Sequence, residues 1–330
     1  MKKIAVTGSM AFDYIMSFPG SFEDHILPDR ISNLSVSFLV DSMRRERGGT
    51  AGNIAYTLAL LKQPALLMAV VGQDGREYIE LLKSYGVDTS GVLHLTDEFT
   101  SSFFVSTDTH NRQIANFYAG AMARSAEISF YDQDHQSIGL AIISPSSPDG
   151  MAKYIDECKA LGIDYAYDPS QQLPRLDGES LRHGIDGAYL LTVNDYEFDM
   201  IRKKTNLTLD HLRTMVRVLV ITRGEAGSTI YADEQMFHVP TASPEQVSDP
   251  TGGGDAYRSG LLAGWRHGLG WAEAGRLGAL AATYAIEHVG TQRHNFTVED
   301  FAARYERAFG TSAAVDTFFQ KLTQLEPEVG

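Results

Sequence analysis

The sequence predicts an α/β protein: a central, mostly parallel β-sheet flanked by helices on both faces, with a small β-sheet lid. Three observations carry this. Short apolar runs alternate with amphipathic segments of helical spacing along most of the chain, the pattern of parallel strands joined by returning helices. Two stretches, Asp13–Arg47 and Thr100–Ala119, break that alternation with partly alternating polar and apolar residues, as in strands with one face exposed. Glycine-rich segments stand where strands hand over to helices, at the end of such a sheet where ligands bind.

In order, strands are expected at Ile4–Thr7, Leu66–Val71, Leu140–Ser144, Tyr165–Asp168, Tyr189–Val193 and Val218–Thr222. Helices are expected at Thr50–Leu61, Gly75–Tyr85, Asp149–Leu161, Asn194–Lys203, Asp255–His267, Trp271–His288, Val298–Phe309 and Ala313–Leu325. The lid takes Tyr14-Ile15-Met16 and Leu34–Val40 from the first excursion, and Ser102–Ser106 and Gln113–Tyr118 from the second. The main domain is then residues 1–12, 48–99 and 120–330, and the lid residues 13–47 and 100–119.

Composition bounds the partners. The 330 residues are 43% hydrophobic and 21% charged, enough for a large core. The net charge is −14 with no basic tract, which argues against nucleic acid or an anionic membrane as a partner. A polyanion must therefore be met locally, by backbone dipoles, a few cationic side chains and a divalent metal. The single cysteine, Cys158, lies in a helical segment and reads as core filler. The start, Met1 to Gly8, reads as a strand and not as a leader, and no run is long enough to span a membrane; a cytoplasmic protein is expected.

The most informative stretch is Ser248-Asp249-Pro250-Thr251-Gly252-Gly253-Gly254-Asp255-Ala256-Tyr257-Arg258. Glycines let backbone N–H groups crowd around an oxyanion, and a helix N-terminus adds its dipole at the same point. Asp255 stands where it could take a proton from a hydroxyl attacking a phosphate held there. Anion cradle plus adjacent base is what phosphoryl transfer to an alcohol requires; the alternative is a glycine-rich turn with an ordinary helix cap.

Other segments are weaker alone. Gly48-Gly49-Thr50-Ala51-Gly52-Asn53 opens a helix, and Asn53 offers a donor and an acceptor to hydroxyls. Asp13, at the exit of the first strand, could accept two hydrogen bonds from vicinal hydroxyls. Asn194 and Glu197 form a capping-box pattern at a strand end, where a Mg²⁺ ion and its waters could also sit. Thr222-Arg223-Gly224-Glu225-Ala226-Gly227 is a glycine-bounded turn that could border a nucleotide. There is no Gly-x-x-x-x-Gly-Lys-Ser/Thr, no protein-kinase signature set, no Gly-x-Gly-x-x-Gly after the first strand, and no histidine spacing suited to a metal.

In order and spacing these motifs resemble the ribokinase-like (PfkB) family of carbohydrate and nucleoside kinases, over nearly the whole chain from Ile4 to about Phe309. The Asp-x-Thr-Gly-x-Gly-Asp signature is matched by Asp249 to Asp255, Gly-Gly-x-x-x-Asn by Gly48, Gly49 and Asn53, and Asn-x-x-Glu by Asn194 and Glu197. The resemblance implies a ribokinase-like fold with a lid that closes over the acceptor, and an ATP- and Mg²⁺-dependent kinase acting on a primary hydroxyl. It implies Asp255 as the base and Gly252, Gly253 and Gly254 as the anion hole. Asp13, Gly48, Gly49 and Asn53 would then hold substrate hydroxyls. Asn194, Thr222, Arg223, Gly224 and Gly227 would border ATP. Glu197 would hold Mg²⁺ through water, and a K⁺ ion would sit near Asp249 and Thr251. Pro250, where many members have Thr, and Gly253, where Ala or Cys is common, depart from the pattern but fit a tight anion loop.

The lid sequence and Gly290-Thr291-Gln292 look most like the bacterial adenosine-kinase branch, which implies the 5′-OH of adenosine as acceptor. Phe104, Phe117 and Met122 would then wall the purine; they could equally pack the lid onto the body. The alternative is a sugar kinase of the same family, for ribose, fructose or a relative. The partners expected are ATP, the small-molecule acceptor and a second copy of the chain through the lid.

Overall fold

The computed structural model describes residues 2–26 and 35–325. The strands, in chain order, are β1 (Lys3–Thr7), β2 (Ala11–Ser17), β3 (Ser42–Gly48), β4 (Ala65–Met68), β5 (Val70–Val71), β6 (Leu93–His94), β7 (Ser101–Thr107), β8 (Gln113–Tyr118), β9 (Ile138–Ile143), β10 (Tyr165–Tyr167), β11 (Leu190–Asn194), β12 (Val218–Thr222), β13 (Ser228–Ala232) and β14 (Gln235–Val239). The helices are α1 (Thr50–Leu60), α2 (Arg76–Ser84), α3 (Pro148–Leu161), α4 (Gly178–Ile185), α5 (Asp195–Thr205), α6 (Leu209–Met215), α7 (Gly253–Arg266), α8 (Trp271–Ile286), α9 (Val298–Phe309) and α10 (Ala313–Thr323).

The main sheet has eight strands in the order β14-β13-β12-β11-β10-β9-β1-β4. Pairs from β12 through β4 are parallel, and β13 and β14 add an antiparallel edge. Successive residues of one strand feed opposite cores, as period-two geometry demands. Ile4, Val6, Leu140 and Ile142 pack on one face with Ile54, Leu261, Leu280 and Phe301. Ala5, Ala141 and Ile143 pack on the other with Tyr154, Leu181, Ile201 and Leu212. Both faces are therefore covered by helices, as a parallel sheet requires. Cys158 is buried in the second core, where desolvation pushes its thiol up and away from nucleophilic use.

A second sheet, β3-β2-β7-β8, is built from the two excursions and forms the lid. Its first excursion differs from expectation. Residues 35–40 form no strand, and Leu34 lies outside the described residues; the partner of β2 is Ser42–Gly48, in full antiparallel register. This strand, Ser-Met-Arg-Arg-Glu-Arg-Gly, is a charged edge strand. Charge on an edge discourages pairing with other chains, and it also hides the strand from apolar patterning. The expected strand Leu66–Val71 is broken at Ala69, because Val70–Val71 leaves the main sheet to pair with β6.

Candidate active site

The loops after β1, β10, β11 and β12 converge at the carboxyl end of the parallel strands. Gly252, at φ +82°, is the N-cap of α7, so the helix begins two residues before the expected Asp255. Gly253, Gly254 and Asp255 thus occupy its first turn, where N–H groups lack intrahelical acceptors. The Gly253 N–H reaches Pro250 O at 3.3 Å. Gly254 is exposed, while Asp255 beside it is buried. A donor-rich, open helix end therefore adjoins a sheltered carboxylate.

Asp255 is gripped from two sides. Asn53 Nδ2, on α1, donates to Oδ2 at 2.8 Å, and Arg258 Nη1 lies 3.3 Å from Oδ1. Burial raises the carboxyl above its ordinary range; Arg258 and the Asn53 hydrogen bond oppose that rise. Asn53 is itself fixed. Its Oδ1 lies 2.8 Å from the Thr291 hydroxyl and accepts from Gln292 Nε2 at 2.9 Å. Gln292 also donates to the Tyr78 hydroxyl, which donates to Gly48 O at 2.9 Å. Asn53, expected as a ligand for substrate hydroxyls, thus spends its oxygen and one Nδ2 proton on Asp255, Thr291 and Gln292, with one Nδ2 proton left over.

Gly48 and Gly49 make room. A Cβ on Gly48 would lie 2.5 Å from Asp13 Oδ2, so the glycine admits the carboxylate. Gly49, at φ +87°, passes so close to the chain before β2 that a Cβ would meet Ser9 O at 2.5 Å and Ala11 N at 2.7 Å. Asp13 is pushed up to about 6, chiefly by burial and then by Asp249 and Glu46. Asp249 ties two loops together, its Oδ1 accepting from Thr251 N at 2.9 Å and its Oδ2 from Gly290 N at 3.2 Å.

The raised acid makes a prediction with a definite sign. A carboxyl whose folded value lies above its unfolded 3.8 destabilises the fold as pH rises through the window from 3.8 to about 6. Asp13→Asn should therefore be more stable than the parent at pH 7, by roughly 1–3 kcal/mol, with the gain vanishing below about pH 4. If Asp13 accepts the acceptor's hydroxyl protons, as the family resemblance implies, catalytic efficiency toward the acceptor should fall below about pH 6 in the parent, as that carboxylate is lost. Thermal melts and a pH–rate profile check both limbs.

At the neighbouring strand ends, Asn194 and Glu197 form a full capping box at α5, each side chain accepting the other's backbone N–H at 2.8 Å. Asn194 pairs with Thr222 across β11 and β12. The turn after Thr222 closes through Arg223 N to Gly227 O at 2.8 Å, with Gly224 at φ +53° and Gly227 at φ +80°. A Cβ on Gly227 would lie 2.1 Å from Val239 O, whereas Gly224 faces open space.

The lid register separates the aromatics expected to act together. Phe103 pairs with Asp13 and with Phe117, so these three share one face. Phe104 pairs with Tyr14 and Asn116 on the opposite face, where it stacks on Tyr14 at 4.8 Å. That face opens on a groove of about 640 Å³ bordered by Tyr14, Phe99, Phe104 and Tyr118, and Phe117 on the edge strand β8 also reaches its rim. Phe103, not Phe104, thus stands on the face of Asp13. Met122 is buried in the 3₁₀ segment Gly120–Glu127.

Two residues that sequence reasoning passed over complete the site. Arg258 Nη2 lies 2.7 Å from Asp168 Oδ1, at the end of β10. Burial pushes Asp168 up to about 7, against the pull of Arg258. Burial also opposes the charge on Arg258, but Asp168, Asp255 and Glu197 outweigh it and hold the guanidinium ionised. Arg258 thus touches two acidic side chains, Asp168 and Asp255, with the charge of Glu197 acting from further off.

The chain is 29% identical over 312 residues to a nucleoside kinase of Methanothermobacter thermautotrophicus, an alignment covering 94% of this chain and 97% of that one. Among solved structures, a nucleoside kinase of Burkholderia thailandensis in complex with inosine superposes with a TM-score of 0.84 at 39% identity, over 93% of this chain and 97% of that one. The nucleoside kinase of Methanocaldococcus jannaschii, an archaeal member of the ribokinase family, gives a TM-score of 0.82 at 28% identity, over 93% and 99% of the two chains. The family model for pfkB carbohydrate kinases matches residues 1–297, spanning the lid, the glycine loop and Asp255. The chain therefore belongs to the pfkB carbohydrate kinase family, ATP-dependent phosphotransferases with an alcohol as acceptor, here a nucleoside or a sugar.

Proposed function

We propose that this protein transfers the γ-phosphoryl group of ATP to the 5′-hydroxyl of a purine nucleoside, with adenosine as an acceptor. The observation that carries the chemistry is the buried carboxylate of Asp255 beside the exposed first turn of α7. Asp255 takes the hydroxyl proton as the acceptor oxygen bonds to the γ-phosphorus; the bond from that phosphorus to the β,γ-bridging oxygen breaks, and ADP leaves. The glycine loop Gly252, Gly253 and Gly254, at the open end of α7, faces the charge on the transferred group. Asp13 accepts from the ribose hydroxyls. The turn 222–227 and Asn194 border ATP.

Among the described residues no group of three or more acidic or histidine side chains is placed to hold a metal on its own, so a divalent cation would be held chiefly by the phosphates of ATP. Glu197 would hold Mg²⁺ through water, since Mg²⁺ takes few direct protein ligands. When bound, Mg²⁺ neutralises charge on the β- and γ-phosphates. A K⁺ ion near Asp249 and Thr251 would order the glycine loop further, and turnover in K⁺-free Tris buffer tests for it. A homodimer through the lid would use β8, which is exposed along its whole length; light scattering tests for it. Among the described residues no helix is long and apolar enough to cross a membrane, in keeping with a cytoplasmic enzyme.

The purine reading draws on the inosine complex of the Burkholderia kinase and on Phe103 and Phe117 sharing the face of Asp13. Phe117 is 53% exposed, so a base has surface left to cover. Stacking on an aromatic is worth about 1–3 kcal/mol, or roughly 5- to 150-fold in kcat/KM if expressed in the transition state. Phe103→Ala and Phe117→Ala should lower kcat/KM for adenosine and inosine by that order and leave ribose use nearly unchanged. Phe104→Ala, on the outer face, should change neither. An ADP-release assay over adenosine, inosine, other nucleosides, ribose and fructose checks this. A preference of the unmodified protein for ribose or fructose over every nucleoside would replace the reading with a sugar kinase.

A further inference from the structure

The cation beside the base has an anchor of its own. Arg258 is three residues beyond Asp255, one turn along α7, so its guanidinium comes back alongside the carboxylate. Its Nη2 is pinned at 2.7 Å by Asp168, whose side chain is fully buried at the end of β10. Asp168 Oδ2 and Arg258 Nε have no hydrogen-bond partner among the described residues. The fork also fills the space that a side chain on Gly254 would need, since a Cβ there would lie 2.9 Å from Nη1. Burying such charges is costly, and an apolar pair of similar volume would serve stability as well or better. Stability alone therefore gives this arrangement no reason to exist.

We propose that Asp168 and Arg258 are positioning residues for phosphoryl transfer: Asp168 fixes the guanidinium, and the guanidinium holds Asp255 in the single orientation that faces the acceptor hydroxyl beneath the glycine loop. This rests on Asp255 being the base. Asn53 grips Oδ2 and Arg258 grips Oδ1, so the carboxylate is held at both oxygens and cannot swing. Neither Asp168 nor Arg258 need touch the nucleoside, so their loss should register in kcat and not in KM.

The test is a set of variants assayed for kcat and for KM of both substrates: Asp255→Asn, Arg258→Lys, Arg258→Gln, Asp168→Asn and the double variant Asp168→Asn/Arg258→Gln. Misplacing a reacting group by about 1 Å can cost on the order of 10²-fold. Arg258→Gln should lose about 10²-fold in kcat, Asp168→Asn about 10-fold, and Arg258→Lys should recover part of the loss, with both KM values within about twofold. The double variant should be no slower than Arg258→Gln alone, because Asp168 acts through Arg258. The double variant carries no unpaired buried charge at this pair, so it serves where Arg258→Gln alone does not fold; there its loss of about 10²-fold in kcat at unchanged KM is the supporting result. Full turnover by Arg258→Lys and Asp168→Asn while Asp255→Asn is inactive would overturn the positioning role and leave the base intact. Losses that multiply in the double variant, that fall on KM, or that track melting temperature would also overturn it. Near-normal turnover by Asp255→Asn would instead overturn the reading of the base itself.

Discussion

Asp255→Asn is expected to bind nucleoside and ATP much as the parent does and to lose about 10²–10⁴ in kcat. The amide matches the carboxylate in shape and can still take the hydrogen bond from Asn53 through its oxygen, so the helix end and the glycine loop should stay in place. What disappears is the proton acceptor at the only carboxylate in the first turn of α7, together with its ion pair to Arg258, which keeps Asp168 as its partner. The N–H groups of the glycine loop remain, so part of the rate enhancement should survive, as electrostatic stabilisation of a transferred group does not need a base. Steady-state kinetics with both substrates varied separate the two contributions.

Gly49→Ala is expected to cost about 3 kcal/mol or more of stability and to abolish activity under ordinary assay conditions. The residue sits at φ +87°, a conformation that L side chains rarely adopt, and the added Cβ would face Ser9 O at 2.5 Å, Ala11 N at 2.7 Å and Met10 Cα at 2.8 Å. All three are backbone atoms, which cannot rotate away. Gly49 is also the N-cap of α1, four residues before Asn53, so any shift that relieves the clash moves the residue that hydrogen-bonds Asp255. Gly86→Ala provides the contrast: φ is +89°, but no atom lies within 4 Å of the added Cβ. It should cost only about 1 kcal/mol, the conformational part alone. Denaturant unfolding of both variants distinguishes crowding from backbone strain.

The parallel strands of the main sheet were legible because they are buried on two faces and so read as apolar runs, whereas the mostly exposed edge strand β14 was not. The lid was only half legible. The strand Ser42–Gly48 pairs through its backbone while its side chains are mostly charged, so no hydrophobic pattern marks it. In Ser102-Phe103-Phe104-Val105 adjacent aromatics point to opposite faces, and only the register against Asp13 and Tyr14 decides which one meets a ligand. Pairing across sheet segments far apart in sequence fixes that register, and local composition does not contain it. The glycine loop was readable as an anion site, yet α7 starts earlier than its apolar spacing implied, because Gly252 can take a positive φ and let Gly253 and Gly254 into the helix. Arg258 carried a visible signal, a cation one turn from Asp255 just ahead of the apolar stretch Leu261-Leu262-Ala263. Its partner Asp168 is 90 residues away, brought close only by the order of β10 in the sheet.

The most direct measurement incubates the protein with adenosine and ATP labelled at the γ-phosphorus and identifies the labelled product by mass spectrometry and ³¹P NMR. The expected result is a nucleoside 5′-monophosphate carrying the label, formed in equal amount with ADP and nearly absent with Asp255→Asn. Release of label as inorganic phosphate without any nucleotide, or its transfer to ribose or fructose in preference to every nucleoside offered, would contradict it.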